Sequence, residues 1–113
     1  MDLERCWQIP PNRWEETKKT DFKLGILCAT RGVADLQERD RGFAAFVNEC
    51  LLRYISCDWG DTCPEDSAAN DDALVSGERI LAEYREPNHP DWCIWIITEW
   101  DRSVTTILFP DEY

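Results

Sequence analysis

The sequence predicts an α+β domain: a small antiparallel β-meander of three to four strands packed against two helices. Three observations carry this. Residues 92–109 (WCIWIITEWDRSVTTILF) set two runs rich in Trp, Ile, Val and Thr on either side of Asp101-Arg102-Ser103, the composition of a β-hairpin with a short reversal. Phe43, Phe46, Val47, Cys50, Leu51, Tyr54 and Ile55 recur at the three-and-four spacing of an amphipathic helix over 43–56. Thr62-Cys63-Pro64-Glu65 has the form of a capping box with proline in the first turn, and Gly77 is a C-terminal stop, so a second helix is expected over 63–76.

The remaining elements follow in order. Residues 1–21 place Trp7 and Trp14 around Pro10-Pro11 and continue into EETKKT. Consecutive prolines exclude a regular helix or central strand there, so this stretch reads as an irregular arm ahead of a single domain over 22–113. Residues 22–30 (FKLGILCAT) form a short apolar strand, the fourth candidate for the sheet. Val33 to Glu38 makes a helical turn before the charged run 39–42, and residues 57–61 (CDWGD) are a turn by composition. In 78–85 (ERILAEYR), Ile80, Ala82 and Tyr84 share one side of a strand, and Pro87-Asn88-His89-Pro90 reverses the chain into the hairpin. Along that hairpin Trp92, Ile94, Ile96 and Trp100 alternate with Cys93, Trp95 and Ile97, so both sheet faces need cover. The 43–56 helix supplies one cover; the arm, or a homodimer, supplies the other.

The chain of 113 residues is 43% hydrophobic and carries six tryptophans, the make-up of a folded globule. No apolar run approaches the ~20 residues of a bilayer span, and the N-terminus lacks a basic-then-apolar leader, so a cytoplasmic protein with no membrane contact is expected. Net charge is −11, and it is uneven: nine acidic and eight basic side chains lie at or before Cys50, fourteen and four after it. Phosphate neutralisation needs Lys and Arg, so direct nucleic-acid binding is not expected. A basic protein, or one that normally holds nucleic acid, is the expected partner. Six cysteines at 6, 28, 50, 57, 63 and 93 form no CxxC pair and read as reduced thiols, with Cys28, Cys50 and Cys93 in apolar patterns typical of core positions.

Between Asp58 and Asp72 stand six carboxylates and no basic residue. Near a helix start, Glu65 and Asp66 gain from the macrodipole; Asp71 and Asp72 lie too far along to do so and read as a solvated or contact surface. Asp58, Asp61 and Glu65 could hold a hard cation in a metal-dependent enzyme, yet the spacing departs from the calcium-loop signature. Ser103 lacks a nucleophile elbow and His89 sits between turn residues, so neither reads as catalytic. Arg102 is expected to pair with Asp58 or Asp61; alternatively, with Trp59, it presents a partner hot spot. No cofactor is expected.

The strings LGILCATRGVADL, FVNECLLRYISCDWGDTCPEDSAANDDAL, GERILAEY and WIITEWDRSVTTILFPDEY resemble a set of short proteins labelled "plasmid-related protein", carried on plasmids and conjugative elements, often in gut Firmicutes. The resemblance covers 22–113, with DWGD and TEWDRSVTTILFPDEY its most specific motifs. It implies a mobile genetic element and no defined chemistry. Small acidic proteins of such elements often inhibit host defence, so the leading expectation is a non-enzymatic binding protein. Asp58, Trp59, Asp61, Glu65, Asp66, Asp71, Asp72 and Arg102 would present a nucleic-acid-mimicking surface to a restriction or CRISPR nuclease complex (anti-restriction or anti-CRISPR action). A plasmid-maintenance factor that self-associates is the further alternative.

Overall fold

In a computed structural model, which describes residues 23–113 and the backbone of Trp7–Gln8, the chain forms a mixed sheet with helices against it. Strand β1 (Trp7–Gln8) and β2 (Ile26–Ala29) precede three helices: α1 (Arg31–Arg39), α2 (Arg41–Ile55) and α3 (Pro64–Ser76). Strands β3 (Ile80–Glu86), β4 (His89–Thr98) and β5 (Val104–Leu108) follow, and a 3₁₀ turn at Pro110–Glu112 ends the chain. The α+β class is as expected, and β3, β4 and β5 are the antiparallel meander.

The sheet is not purely antiparallel, because β2 lies parallel to β5 in the order β1-β2-β5-β4-β3. Gly25 is the local reason. At φ +66° it carries the chain so close to the hairpin turn that a Cβ there would lie 2.3 Å from the Ser103 carbonyl oxygen. Ile26 N–H then donates to that oxygen, and β2 leaves the turn in the same direction as β5. Two residues of the N-terminal arm form β1 on the outer edge of β2; the rest of the arm, and its expected covering role, lie outside the described residues.

Helix α2 buries all seven residues of the expected stripe, from Phe43 to Ile55. They face Ile80, Ala82 and Tyr84 of β3, Ile94 and Ile96 of β4, and Ile107 of β5, all fully buried in one core. Each buried isoleucine among them contributes roughly 1.5–3 kcal/mol relative to exposure. Asp40 separates α1 from α2 and caps α2, its carboxylate accepting from Gly42 N–H (2.9 Å) and Phe43 N–H (3.1 Å). The expected helical turn at 33–38 is thus a full helix, α1. On the opposite sheet face Ile97 and Leu108 are also fully buried, as the lack of alternation implied, whereas Trp100 belongs to the turn and is exposed. No helix among the described residues is long and apolar enough to cross a membrane.

Candidate functional site

The segment from Asp58 to Asp72 runs along the free side of β3, and most of its polar groups are turned inward onto the fold. Asp58 makes a two-pronged pair with Arg53 of α2 (2.8 and 3.2 Å) and accepts from Gly60 N–H at 3.0 Å. The Arg53 hydrogen bond holds its carboxyl below the usual carboxylate range. The Asp58 backbone carbonyl accepts from the Tyr84 hydroxyl at 2.8 Å, so one residue ties α2, the loop and β3 together.

Trp59 is buried, 5% exposed, with its ring edge-on to Tyr54 at 5.5 Å and its indole N–H donating to Asp71 Oδ1 at 2.9 Å. The expected hot-spot pairing of Trp59 with Arg102 is therefore corrected. A large aromatic beside a core tyrosine gains more from burial than from display. Gly60 follows at φ +64°, where a Cβ would meet the Tyr84 ring at 2.4 Å and the Glu83 carbonyl at 2.7 Å. Only glycine allows the loop to lie this close to β3. Asp61 then binds the strand twice: its N–H donates to the Glu83 carbonyl (2.8 Å) and its carboxylate accepts from Arg85 N–H (2.7 Å).

Thr62 does not serve as the expected capping box. The helix begins one residue later, with Cys63 at the cap position and no side-chain cap bond. The Thr62 hydroxyl instead accepts from Glu83 N–H at 2.8 Å and donates to the Trp59 carbonyl. The α3 C-terminus is as expected, with Gly77 left-handed at φ +80°. Arg102, itself at φ +60°, is corrected too: it pairs with neither Asp58 nor Asp61. Its guanidinium donates to the carbonyls of Ala73 (2.8 Å), Glu78 (2.7 Å) and Glu99 (3.3 Å), closing the end of α3 onto the hairpin. The Ala73 carbonyl also accepts from Gly77 N–H (2.9 Å), so Arg102 fills its second lone pair, and a guanidinium offers several donors at once.

Two residues of this assembly escaped sequence reasoning. Asn70, 4% exposed, meets Leu81 with both ends of its amide, donating to the carbonyl (2.8 Å) and accepting from the N–H (3.2 Å). Its only sequence signal is a polar residue beside Ala68-Ala69 on a helix that otherwise buries little more than Ala73. Tyr84 is expected on the same side of its strand as Ile80 and Ala82, but nothing in the sequence links its hydroxyl to Asp58.

Glu65, Asp66 and Asp72 are exposed and make no hydrogen bond or ion pair among the described residues. Asp58 faces Arg53 and Asp61 faces Arg85 N–H. Among the described residues no three His, Cys, Asp or Glu side chains gather to hold a metal ion, so the expected Asp58/Asp61/Glu65 ligand set is not assembled. Ser103 and His89 sit at opposite ends of the sheet: the Ser103 hydroxyl donates to Asp101 (2.6 Å) and His89 stacks on Trp92 at 3.9 Å between ring centres. Cys28 and Cys50 are buried as expected, and Cys93 is half-buried. No protein-family model, curated protein or solved structure matches the chain.

Proposed function

We propose that this protein is a non-enzymatic acidic binding protein of a mobile genetic element, acting in the cytoplasm of its host, where it occupies the nucleic-acid site of a basic defence nuclease complex. The observation that carries the reading is the exposure of three carboxylates on α3. Glu65, Asp66 and Asp72 are exposed and without a cation among the described residues, on a helix anchored at its start by Asp61 and Thr62, in its middle by Asn70 and at its end by Arg102. Carboxylates on a rigid frame lose little freedom on binding, which favours recognition of an arginine- or lysine-lined groove. Arg53, the nearest basic residue before the segment, is consumed by Asp58. The resemblance to plasmid-related proteins supports the mobile-element setting, and the net charge of −11 supports a basic partner.

Within this reading, burial and bonding support a division of roles along the segment. Trp59, Asp58, Asp61, Asp71 and Arg102 build the frame; Glu65, Asp66 and Asp72 carry the contact. A mobility-shift titration of a purified restriction or CRISPR complex on its DNA tests this. Added protein should release the DNA, less effectively as salt rises. The E65Q/D66N/D72N variant should fold as the parent does and fail to release it. Equal release by parent and variant would refute the acidic-face reading.

A further inference from the structure

Among the described residues, Val75 (92% exposed) and Trp100 (67%) are the most exposed of the large apolar side chains, and they lie at one end of the molecule. The Arg102 guanidinium brings them together: it donates to both the Ala73 and the Glu99 carbonyls (2.8 and 3.3 Å), so the end of α3 and the β4–β5 turn share one cation. Val75 stands two residues beyond Ala73, and Trp100 directly follows Glu99. The turn that displays the indole is locked. Arg102 N–H closes it onto the Glu99 carbonyl (2.9 Å), and Asp101 accepts from the Ser103 N–H and hydroxyl (3.1 and 2.6 Å).

Exposed carboxylates surround the pair. Asp72 lies three residues before Val75 and is its neighbour on the surface of α3; Glu78, whose carbonyl Arg102 also holds (2.7 Å), follows that helix; Asp101 follows Trp100. The hydrogen bonds from Ser103 keep the Asp101 carboxyl below the usual carboxylate range, so it stays charged at neutral pH. Nearby cations are turned elsewhere: Arg102 to backbone carbonyls, and Arg79 to the Tyr113 hydroxyl at 2.6 Å.

We propose that Val75 and Trp100 are the apolar anchor of a docking surface for a basic amphipathic segment, which packs apolar side chains on the indole and sets Lys or Arg against Asp72, Glu78 and Asp101. An indole fixed before binding loses little freedom on contact, and tryptophan is enriched at the centres of such surfaces. Three carboxylates at the rim select a cationic partner. The proposal rests on the acidic-face reading for the partner's basic character and adds to it an apolar contact that salt does not screen.

Fluorescence anisotropy on the full chain tests it with two labelled synthetic peptides of equal charge: an amphipathic helix of leucine and lysine, and the same peptide with serine for every leucine. The parent should bind the leucine peptide about tenfold or more tighter than the serine peptide. V75S/W100A, whose two changed side chains are exposed, should fold as the parent does and bind both peptides alike. Trp100→Phe should retain most of the margin. E65Q/D66N/D72N should weaken both peptides together and leave the margin standing. No margin in the parent, or a margin unchanged in V75S/W100A, overturns the proposal and leaves the acidic-face reading to the DNA titration. A margin that depends on Val75 and Trp100, in a protein that releases no DNA, upholds the docking surface and refutes the nuclease reading.

Discussion

Tyr54 carries its hydroxyl into the core, where a relay satisfies it. Thr105 donates to the Leu24 carbonyl (2.7 Å), so Thr98 donates to Thr105 (2.8 Å) and Tyr54 to Thr98 (2.6 Å). One chain of hydroxyls thereby links α2, β4, β5 and the approach to β2. Tyr54→Phe leaves Thr98 without its donor and should lower unfolding free energy by roughly 1–3 kcal/mol in urea titrations; no change would mean that the relay is energetically idle. Burial also raises the proton affinity of three groups: Cys50 is pushed up to about 12, and the Tyr54 and Tyr84 hydroxyls are raised as well. Their affinities are higher folded than unfolded, so their contribution is fully present below the unfolded values of 9.0 and 10.0 and is lost as pH rises through them towards the folded ones. Stability should therefore fall between about pH 9 and 12. Tyr84→Phe should flatten that fall in denaturation curves taken across the range, and an undiminished slope would count against its part.

The loop from Asp58 to Asp61 shows how an element is held by close approach. Gly60→Ala sets a Cβ against the Tyr84 ring and the Glu83 carbonyl at a left-handed φ, and both must move. A loss of roughly 2–4 kcal/mol is expected, with the Tyr84-to-Asp58 bond broken first. A Gly60→Ala protein as stable as the parent would show that the loop can stand off β3 at little cost. Arg102 sits at the other end of α3. Arg102→Gly suits the backbone at φ +60° yet removes the donors to Ala73, Glu78 and Glu99. The lost bonds outweigh the relieved strain, so a net loss of about 1–2 kcal/mol is expected, with faster amide exchange in the last turn of α3. A stabilised glycine variant would reverse that order.

Across the whole molecule, fourteen acidic against four basic side chains follow Cys50, and Arg53, Arg85 and Arg102 are all bonded within the fold. Self-repulsion therefore opposes the native state, and salt screens it. Raising NaCl from about 0.05 M to about 0.5 M should raise Tm, because the exposed Arg53–Asp58 pair loses less than the acidic surface gains. A Tm that falls with salt would place more weight on the ion pairs than on the repulsion. E65Q/D66N/D72N removes three of the repelling charges but also two carboxylates that the α3 macrodipole stabilises, so its Tm should stay close to the parent's while it fails in the DNA-release titration, separating binding from stability.

The α2 stripe, the Ile80–Ala82–Tyr84 face, the hairpin and the Gly77 stop are local facts of period and backbone preference, and the sequence by itself determined them. So too was the crowding of carboxylates between Asp58 and Asp72, which needs only counting. The duties of those carboxylates were decided by tertiary structure alone. Asp61 meets Arg85, Asn70 meets Leu81 and Arg102 meets Ala73 across 24, 11 and 29 positions of chain respectively. The parallel course of β2 beside β5 depended likewise on Gly25 reaching the far hairpin turn. Composition specifies that a polar group exists; which partner answers it depends on where folding brings the distant backbone.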